Sequence, residues 1–376
     1  MLEVADIFRD AGPAYLEHFG ARMLPSHQRV MRDILECRTA ALGGHVRQCD
    51  RCDEVQYSYH SCRNRHCPKC HAEQTERWLE SWRSRLLTCP YFLLTFTLPE
   101  ELRPLALSHQ KLIYGILMKS AAAALLKLAR DSRYLGARPA MIAVLHTWTR
   151  AMLYHPHVHL LVTGGGLAAP NGQARWLESR NPAFLFPDRA LSVIFRAKVR
   201  DAIEHAGLLD LKARRAWRHR WVVHCKHAGN GEKVLEYIGR YVHRIAIANS
   251  RLESYANGQV TFRYRDNTSG EIKHCTVIAE EFIRRFLQHV LPQGFVKVRS
   301  YGLYSNSSKP ALETARSLLG RSTSTEHTVD HHDLSTNARD TEPANPICPA
   351  CRVGRMIVIT TLARMPTSCA NARAPP

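Results

Sequence analysis

Over the first 45 residues, apolar positions recur every three or four residues in two stretches parted at Pro25, a pattern that predicts two amphipathic helices. Between residues 45 and 75 the periodicity stops, aliphatic residues thin out, and Cys, His and Arg crowd in. A polar stretch, HAEQTERWLESWRSRLL, then reads as a helix that ends near Cys89-Pro90. Beyond it YFLLTFTLP is a buried-strand run closed by Pro99, and a long helix is expected over residues 108–130. PAMIAVLHTWTR and HVHLLVTGGG predict a second and third strand, residues 188–206 a helix, and RWVVHCKH a fourth strand. GEKVLEYIGRYVHR predicts a helix opening just after Gly229-Asn230-Gly231. QVTFRYRD and EIKHCTVI read as a hairpin about Asn267-Thr268-Ser269-Gly270, and AEEFIRRFLQHVL as the last helix. After Tyr304 the chain turns to Ser, Thr, Asn, Asp and His, so residues 305–345 read as a linker or disordered stretch. Strands parted by helices, together with a hairpin, predict an α+β fold with a mainly antiparallel sheet.

Composition sharpens this in one direction. The 376 residues suffice for two or three domains, and 45% are hydrophobic. The net charge is +19, from 52 Lys and Arg against 33 Asp and Glu. So basic a chain calls for a polyanionic partner, and nucleic acid is the commonest; a merely basic enzyme is the plainer alternative. The N-terminal stretch MLEVADIFRDAGPAYLEHF lacks the basic and apolar regions of a signal peptide. The most apolar stretch, LIYGILMKSAAAALLKLA, is interrupted by Lys119 and Lys127, short of the roughly 20 apolar residues of a membrane span. A cytoplasmic protein with no membrane partner is expected, and twelve cysteines in a reducing compartment point to metal rather than disulfides.

The cysteines have metal spacing. Cys49-x2-Cys52 and Cys67-x2-Cys70 are two knuckles fourteen residues apart. Zinc takes four soft or borderline donors in a tetrahedron, and paired CxxC units each bring two thiolates to one point. One site of Cys49, Cys52, Cys67 and Cys70 is therefore expected, with Cys62 and His66 between the knuckles as replacement ligands or supporting groups. Simple burial of the four thiols is the alternative. Arg63, Arg65 and Lys69 make this module either a DNA contact or, without one, a folding staple. Near the end CPAC (Cys348, Cys351) is a half knuckle with no evident fourth ligand, Cys369 lying downstream.

Two further constellations carry chemistry. In YHPHVHLLVTGGG, His155, His157 and His159 stand at every second position. On a strand such residues share one face, about 7 Å apart, so His157 and His159 can aim at one ion. His155 shares that face by periodicity as a third donor, although Pro156 can place it in a bend. Polar imidazoles facing solvent are the alternative, and the three glycines are expected to turn the chain sharply as it leaves the strand. In EYIGRYVHR, Tyr237 and Tyr241 are four apart on a helix and share a face, as do Arg240 and Arg244. Phenols beside guanidiniums suit phosphodiester chemistry, in which a tyrosine oxygen attacks phosphorus; an amphipathic helix with aromatic core residues is the plainer reading. Basic–aromatic patches such as RWLESWRSR and WRHRW are candidates for stacking unpaired bases, or are core.

In order, the zinc segment SCRNRHCPKC, the strand FTLP, HPHVH with its glycines and YIGRYVHR resemble rolling-circle (HUH-type, two-tyrosine) transposases of bacterial insertion sequences, the insertion-sequence-ninety-one family. The resemblance runs from about His27 to Tyr304. It implies a catalytic domain over residues 90–304, a central antiparallel sheet flanked by helices. A helical and zinc-binding domain over 1–89 would precede it, and a flexible tail with a half knuckle over 305–376 would follow. It implies a structural Zn²⁺, and Mg²⁺ or Mn²⁺ held by His157 and His159. Tyr237 and Tyr241 match the two nucleophiles, with Tyr237 favoured as the essential one. One tyrosine would cleave single-stranded DNA at an insertion-sequence end, leaving a 5′-phosphotyrosine and a free 3′-OH, and the second would act on the target DNA or the other end. The implied setting is the bacterial cytoplasm, associated with the nucleoid, with no small-molecule substrate. A non-catalytic zinc-dependent DNA-binding regulator and a metallohydrolase using the histidine strand alone are the rival readings.

Overall fold

The computed structural model describes residues 1–181, 185–209, 214–230, 233–234, 239, 246–266, 269–320 and 345–365. The chain opens with helices α1 (Val4–Phe19) and α2 (Pro25–Glu36), the second started by Pro25 at a position where its missing N–H costs nothing. Strands β1 (Gly44–Cys49) and β2 (Val55–Tyr59) form a hairpin, and α3 (His71–Arg83) follows. Next come β3 (Pro90–Thr97), α4 (Arg103–Ser108), α5 (Gln110–Ala129), β4 (Ala140–Trp148) and β5 (Tyr154–Thr163). A small hairpin, β6 (Gly165–Ala168) and β7 (Arg175–Glu178), precedes α6 (Asp188–His205), α7 (Arg214–Arg218) and β8 (Val223–Asn230). Then follow β9 (Leu252–Ala256), β10 (Gln259–Arg265), β11 (Ile272–Ile278), α8 (Ala279–Leu287), β12 (Val298–Gly302), α9 (Lys309–Leu318) and β13 (Met356–Leu362).

The expected α+β architecture is present. Five strands form an antiparallel sheet in the order β12-β4-β5-β3-β8. Strand periodicity sends alternate residues to its two faces. One face carries Phe92, Leu94, Phe96, Val158, Leu160 and Val162 into the largest core, under α5 and α6, where Phe195 packs edge-on to Phe96 at 5.0 Å. Each such side chain contributes about 1.5–3 kcal/mol by leaving water. Among the described residues α5 is the one helix long and apolar enough to cross a membrane, but most of it is buried in this core. The opposite face carries Tyr91, Ile142, Val144 and Leu161 against Trp78 and Trp82 of α3, Val234, and Ala315 of α9. A third core joins α1 and α2 to α8 and the sheet β11-β10-β9, with Phe8 edge-on to Phe286 at 5.3 Å. The N-terminal helices therefore share their core with residues 246–290 of the chain.

Several points along the chain differ from the sequence reading or decide between its alternatives. Residues 309–318 are helical, not a linker: Ala315 is buried beside Tyr304, and Arg316 donates to the carbonyls of Ser84 and Arg85. The narrow stripe Ala311, Leu312, Ala315, Leu319 is hidden by polar composition around it. The end of the chain is not a loose tail over residues 345–365, because β13 pairs antiparallel with β1; residues 321–344 lie outside the described ones. Trp78, Trp82 and Trp221 are buried, so these members of the two basic–aromatic patches belong to the core.

The three glycines after β5 do not turn the chain by positive φ. They admit close neighbours: a Cβ on Gly165 would lie 2.7 Å from the Leu177 carbonyl oxygen, and one on Gly166 2.7 Å from the Arg138 backbone. Gly166→Ala should cost about 1–3 kcal/mol through forced backbone shifts, read as a lower urea midpoint at unchanged slope. An unchanged midpoint would remove close approach as the reason for glycine there.

Candidate metal centres and DNA-cleaving site

Strand β5 buries Tyr154, Pro156 and Val158 and turns His155, His157 and His159 to the other side, as the alternation predicts. Antiparallel register then sets His146 of β4 directly opposite His157, and Thr95 of β3 opposite His159. The ring nitrogens of His146, His157 and His159 lie within 4.8 Å of one another. Nδ1–H of His157 donates to the His155 carbonyl at 2.7 Å, which leaves Nε2 as the lone-pair donor toward the cluster. Nδ1 of His159 is 3.1 Å from the Thr95 hydroxyl. His146 is buried and stacks on Trp148, ring centroids 4.8 Å apart. Desolvation lowers the His157 pKa to about 4, so its ring is neutral and able to bind a cation. Three imidazoles converging on one point fit a divalent transition ion with open positions left over.

The third nitrogen is thus His146, which the sequence reading missed, and not His155. A guanidinium nitrogen of Arg103 donates to Nδ1 of His155 at 3.0 Å, taking the lone pair that a metal would need. His155 instead lines a groove of about 540 Å³ with Arg103, Glu101, Arg215, Arg218 and Arg220. Nε of Arg103 and Oε2 of Glu101 are buried there without a hydrogen-bond partner among the described residues.

The cysteines divide into two quartets rather than forming the expected one. Cys67 and Cys70 gather with Cys62 and with Cys37 from the end of α2, while Cys49 and Cys52 gather with Cys348 and Cys351. The reason is the hairpin: Cys52 sits in the turn, and the five residues of β2, rising about 3.4 Å each, carry the chain away before it reaches Cys62. In the first quartet the sulfurs of Cys37 and Cys62 stand 3.5 and 3.7 Å from that of Cys70. A zinc tetrahedron with Zn–S near 2.3 Å has edges of about 3.8 Å. Packed so closely, the thiols oppose one another's ionisation: hydrogen bonding with Cys37 chiefly pushes Cys62 far up, and its counterpart pulls Cys70 far down. A dication relieves that conflict by holding all four as thiolates.

His66 is not among these ligands. Its Nε2 accepts the backbone N–H of Leu291 at 3.3 Å, and desolvation holds its pKa well below the ordinary value. Arg65 donates to the carbonyls of Phe295 and Pro292, and Lys69 pairs with Glu3 at 2.7 Å, so both bind the zinc segment to the rest of the protein. Arg63 is exposed. Tyr237, Tyr241, Arg240 and Arg244 lie outside the described residues. Their described neighbours Val234 and Gly239 do not: Val234 is in the core layer on the histidine face of the sheet, and a Cβ on Gly239 would sit 2.8 Å from Leu79 of α3.

A basic protein with a cysteine-rich metal module at its N-terminus and a histidine cluster on a central sheet has the makings of a DNA-processing enzyme, and the comparisons agree. Residues 7–98 match the family described as "Transposase zinc-binding domain", and residues 140–311 the one described as "Putative transposase". The chain is 42% identical over 382 residues to "Putative transposase y4qJ" of Sinorhizobium fredii, spanning 95% of this chain and 94% of that protein. It is 31% identical over 294 residues to "Transposase for insertion sequence element IS801" of Pseudomonas savastanoi pv. phaseolicola, spanning 73% and 69%. No solved structure matches it significantly. These relatives and the site define an insertion-sequence transposase with a zinc-binding domain. The chain belongs to the IS91 transposase family. The family's zinc-binding domain and the buried quartet together support a structural zinc.

The first quartet and His66 make different demands. Cys37→Ser should release one equivalent of zinc, whereas His66→Ala should keep the full complement and lose only about 1–3 kcal/mol of stability from the orphaned Leu291 N–H. Metal analysis with denaturant titration checks both, and zinc lost from His66→Ala would restore His66 as a ligand.

Proposed function

We propose that this transposase cleaves and rejoins single-stranded DNA at insertion-sequence ends through a covalent 5′-phosphotyrosine. The observation that carries the reading is the convergence of His146, His157 and His159 on the sheet face whose covering layer includes Val234, three residues before Tyr237. In this reading the Tyr237 phenol oxygen attacks the scissile phosphorus, a P–O bond to tyrosine forms, and the bond to the 3′-oxygen breaks. The phenol proton leaves to solvent and the departing oxygen gains one, giving the free 3′-OH. A phenol of ordinary pKa near 10 needs assistance for this. His146, His157 and His159 would hold a divalent ion that would supply it by neutralising charge on the phosphate, and imidazole donors would favour Mn²⁺ over Mg²⁺. Tyr241 then serves the second strand or the target DNA, and attack of a 3′-OH on the phosphotyrosine rejoins DNA and releases the phenol. Arg240 and Arg244, four apart in the same segment, steady the phosphate charge.

The groove beside the histidines suits the strand. Arg103, Arg215, Arg218 and Arg220 offer guanidiniums to successive phosphates, and His155, held by Arg103, forms its wall next to the metal ligands. Affinity through such contacts falls steeply with salt. Arg63, exposed on the zinc-binding module, is a further DNA contact in this reading.

Labelled single-stranded DNA carrying an element end, incubated with Mn²⁺, should give an adduct that survives denaturation. Tyr237→Phe should abolish it, and His146→Ala should slow it about 100-fold or more, as loss of several kcal/mol of charge stabilisation requires. His155→Ala should weaken DNA binding more than it alters the Mn²⁺ dependence. No adduct from the wild type would exclude the mechanism and leave a non-catalytic DNA-binding regulator, and an adduct that persists in the Tyr237→Phe/Tyr241→Phe double variant would exclude the two tyrosines as nucleophiles.

A further inference from the structure

We propose that Cys49, Cys52, Cys348 and Cys351 bind a second zinc ion, closing a zinc ribbon built from both ends of the chain. The family's zinc-binding domain spans residues 7–98, so half of this ligand set lies some 250 residues outside it. The four sulfurs fall within 4.8 Å of one another, with Cys49 3.7 Å from Cys351 and Cys52 3.7 Å from Cys348. Those spacings suit a tetrahedron of thiolates and are far longer than a disulfide.

The surroundings are built for thiolate sulfur. The backbone N–H of Arg51 points to the Cys49 sulfur at 3.4 Å, and that of Gly354 to the Cys351 sulfur at 3.3 Å. The two turns also hold each other: Asp50 N–H donates to the Arg355 carbonyl at 3.1 Å, and Arg355 N–H to the Asp50 carboxylate at 2.8 Å. A Cβ on Gly354 would stand 2.5 Å from the Cys49 sulfur, so only glycine lets the C-terminal turn close over it.

The sheet that carries these thiols has little hydrophobic core. Strand β1 pairs with β2 on one side and with β13 on the other, from Gly44 opposite Leu362 to Cys49 opposite Met356. Its own buried cluster, among the described residues, is Cys49, Cys348 and Met356, with Cys351 packed on it. Val55, Tyr57, Ile357 and Ile359 are exposed. Three short strands over so small a core do not hold together by burial alone, and a structural metal supplies what the core cannot. Four thiolates also suit iron, but a site needed only to tie strands requires no redox chemistry, which zinc lacks.

The experiment is metal analysis of the full chain purified under reducing conditions. Two zinc equivalents are expected for the wild type and one for the Cys348→Ser/Cys351→Ser variant, which keeps the Cys37 quartet. A single equivalent in the wild type, two retained in the variant, or iron in place of the second zinc would overturn the proposal. Should that variant fail to fold, cadmium-substituted wild-type protein decides instead: two tetrathiolate cadmium resonances support the ribbon, and one sinks it.

Discussion

The register of β4, β5 and β3 is the constraint on which the rest of the molecule depends. Side chains alternate along a strand with a period of two, so a slip by one residue exchanges the faces of the sheet. In the register observed, Val158, Leu160 and Val162 enter the core beneath α5 and α6, and His157 and His159 emerge on the other side. The same pairing brings His146 opposite His157. The hydrophobic requirement of one face thereby brings the imidazole nitrogens of the other to within 4.8 Å of one another.

The cysteine modules solve a different problem. The Cys37 quartet sits inside a full hydrophobic core shared by α1, α2, α8 and β10, so a zinc there adds to packing that is already extensive. The quartet at the chain ends has almost no core around it, and backbone hydrogen bonds to the sulfurs, between the two turns and along an exposed sheet accompany the thiols. Metal removal from the two should therefore differ in reach, one loosening a domain's interior and the other releasing a peripheral sheet. Arg65 and Lys69 show how firmly the first module is tied down, their charges answered by carbonyls near Pro292 and by Glu3.

Much of the fold was legible because period and length are local properties. The five long apolar or alternating runs that became β3, β4, β5, β10 and β11, and the helices α1, α2, α5, α6 and α8, all stand where periodicity put them. β1 escaped notice because His45, Arg47 and Cys49 obscure the alternation that marks a strand, and β2 because its alternating run, Val55 to Tyr59, is only five residues long. α9 escaped because four small or apolar residues in a polar tract carry little signal until Tyr304 and Trp82 are there to receive them. For Trp78, Trp82 and Trp221 the sequence leaves base stacking and core burial both open, and only the assembled layers place them in the core.

By itself the sequence determined the chemistry on offer: CxxC pairs for zinc, histidines at alternate strand positions, tyrosines four apart, and a strong positive charge. Those are facts of composition and short-range spacing, and they suffice to mark a transposase of this family. Which residues come together was decided only by tertiary structure. Cys37, His146, Cys348 and Cys351 carry no local motif that names their partners, because those partners lie up to about 300 residues away. The length of a hairpin parts Cys52 from Cys62, a hydrogen bond from Arg103 withdraws His155, and strand pairing across the sheet supplies His146 in its place.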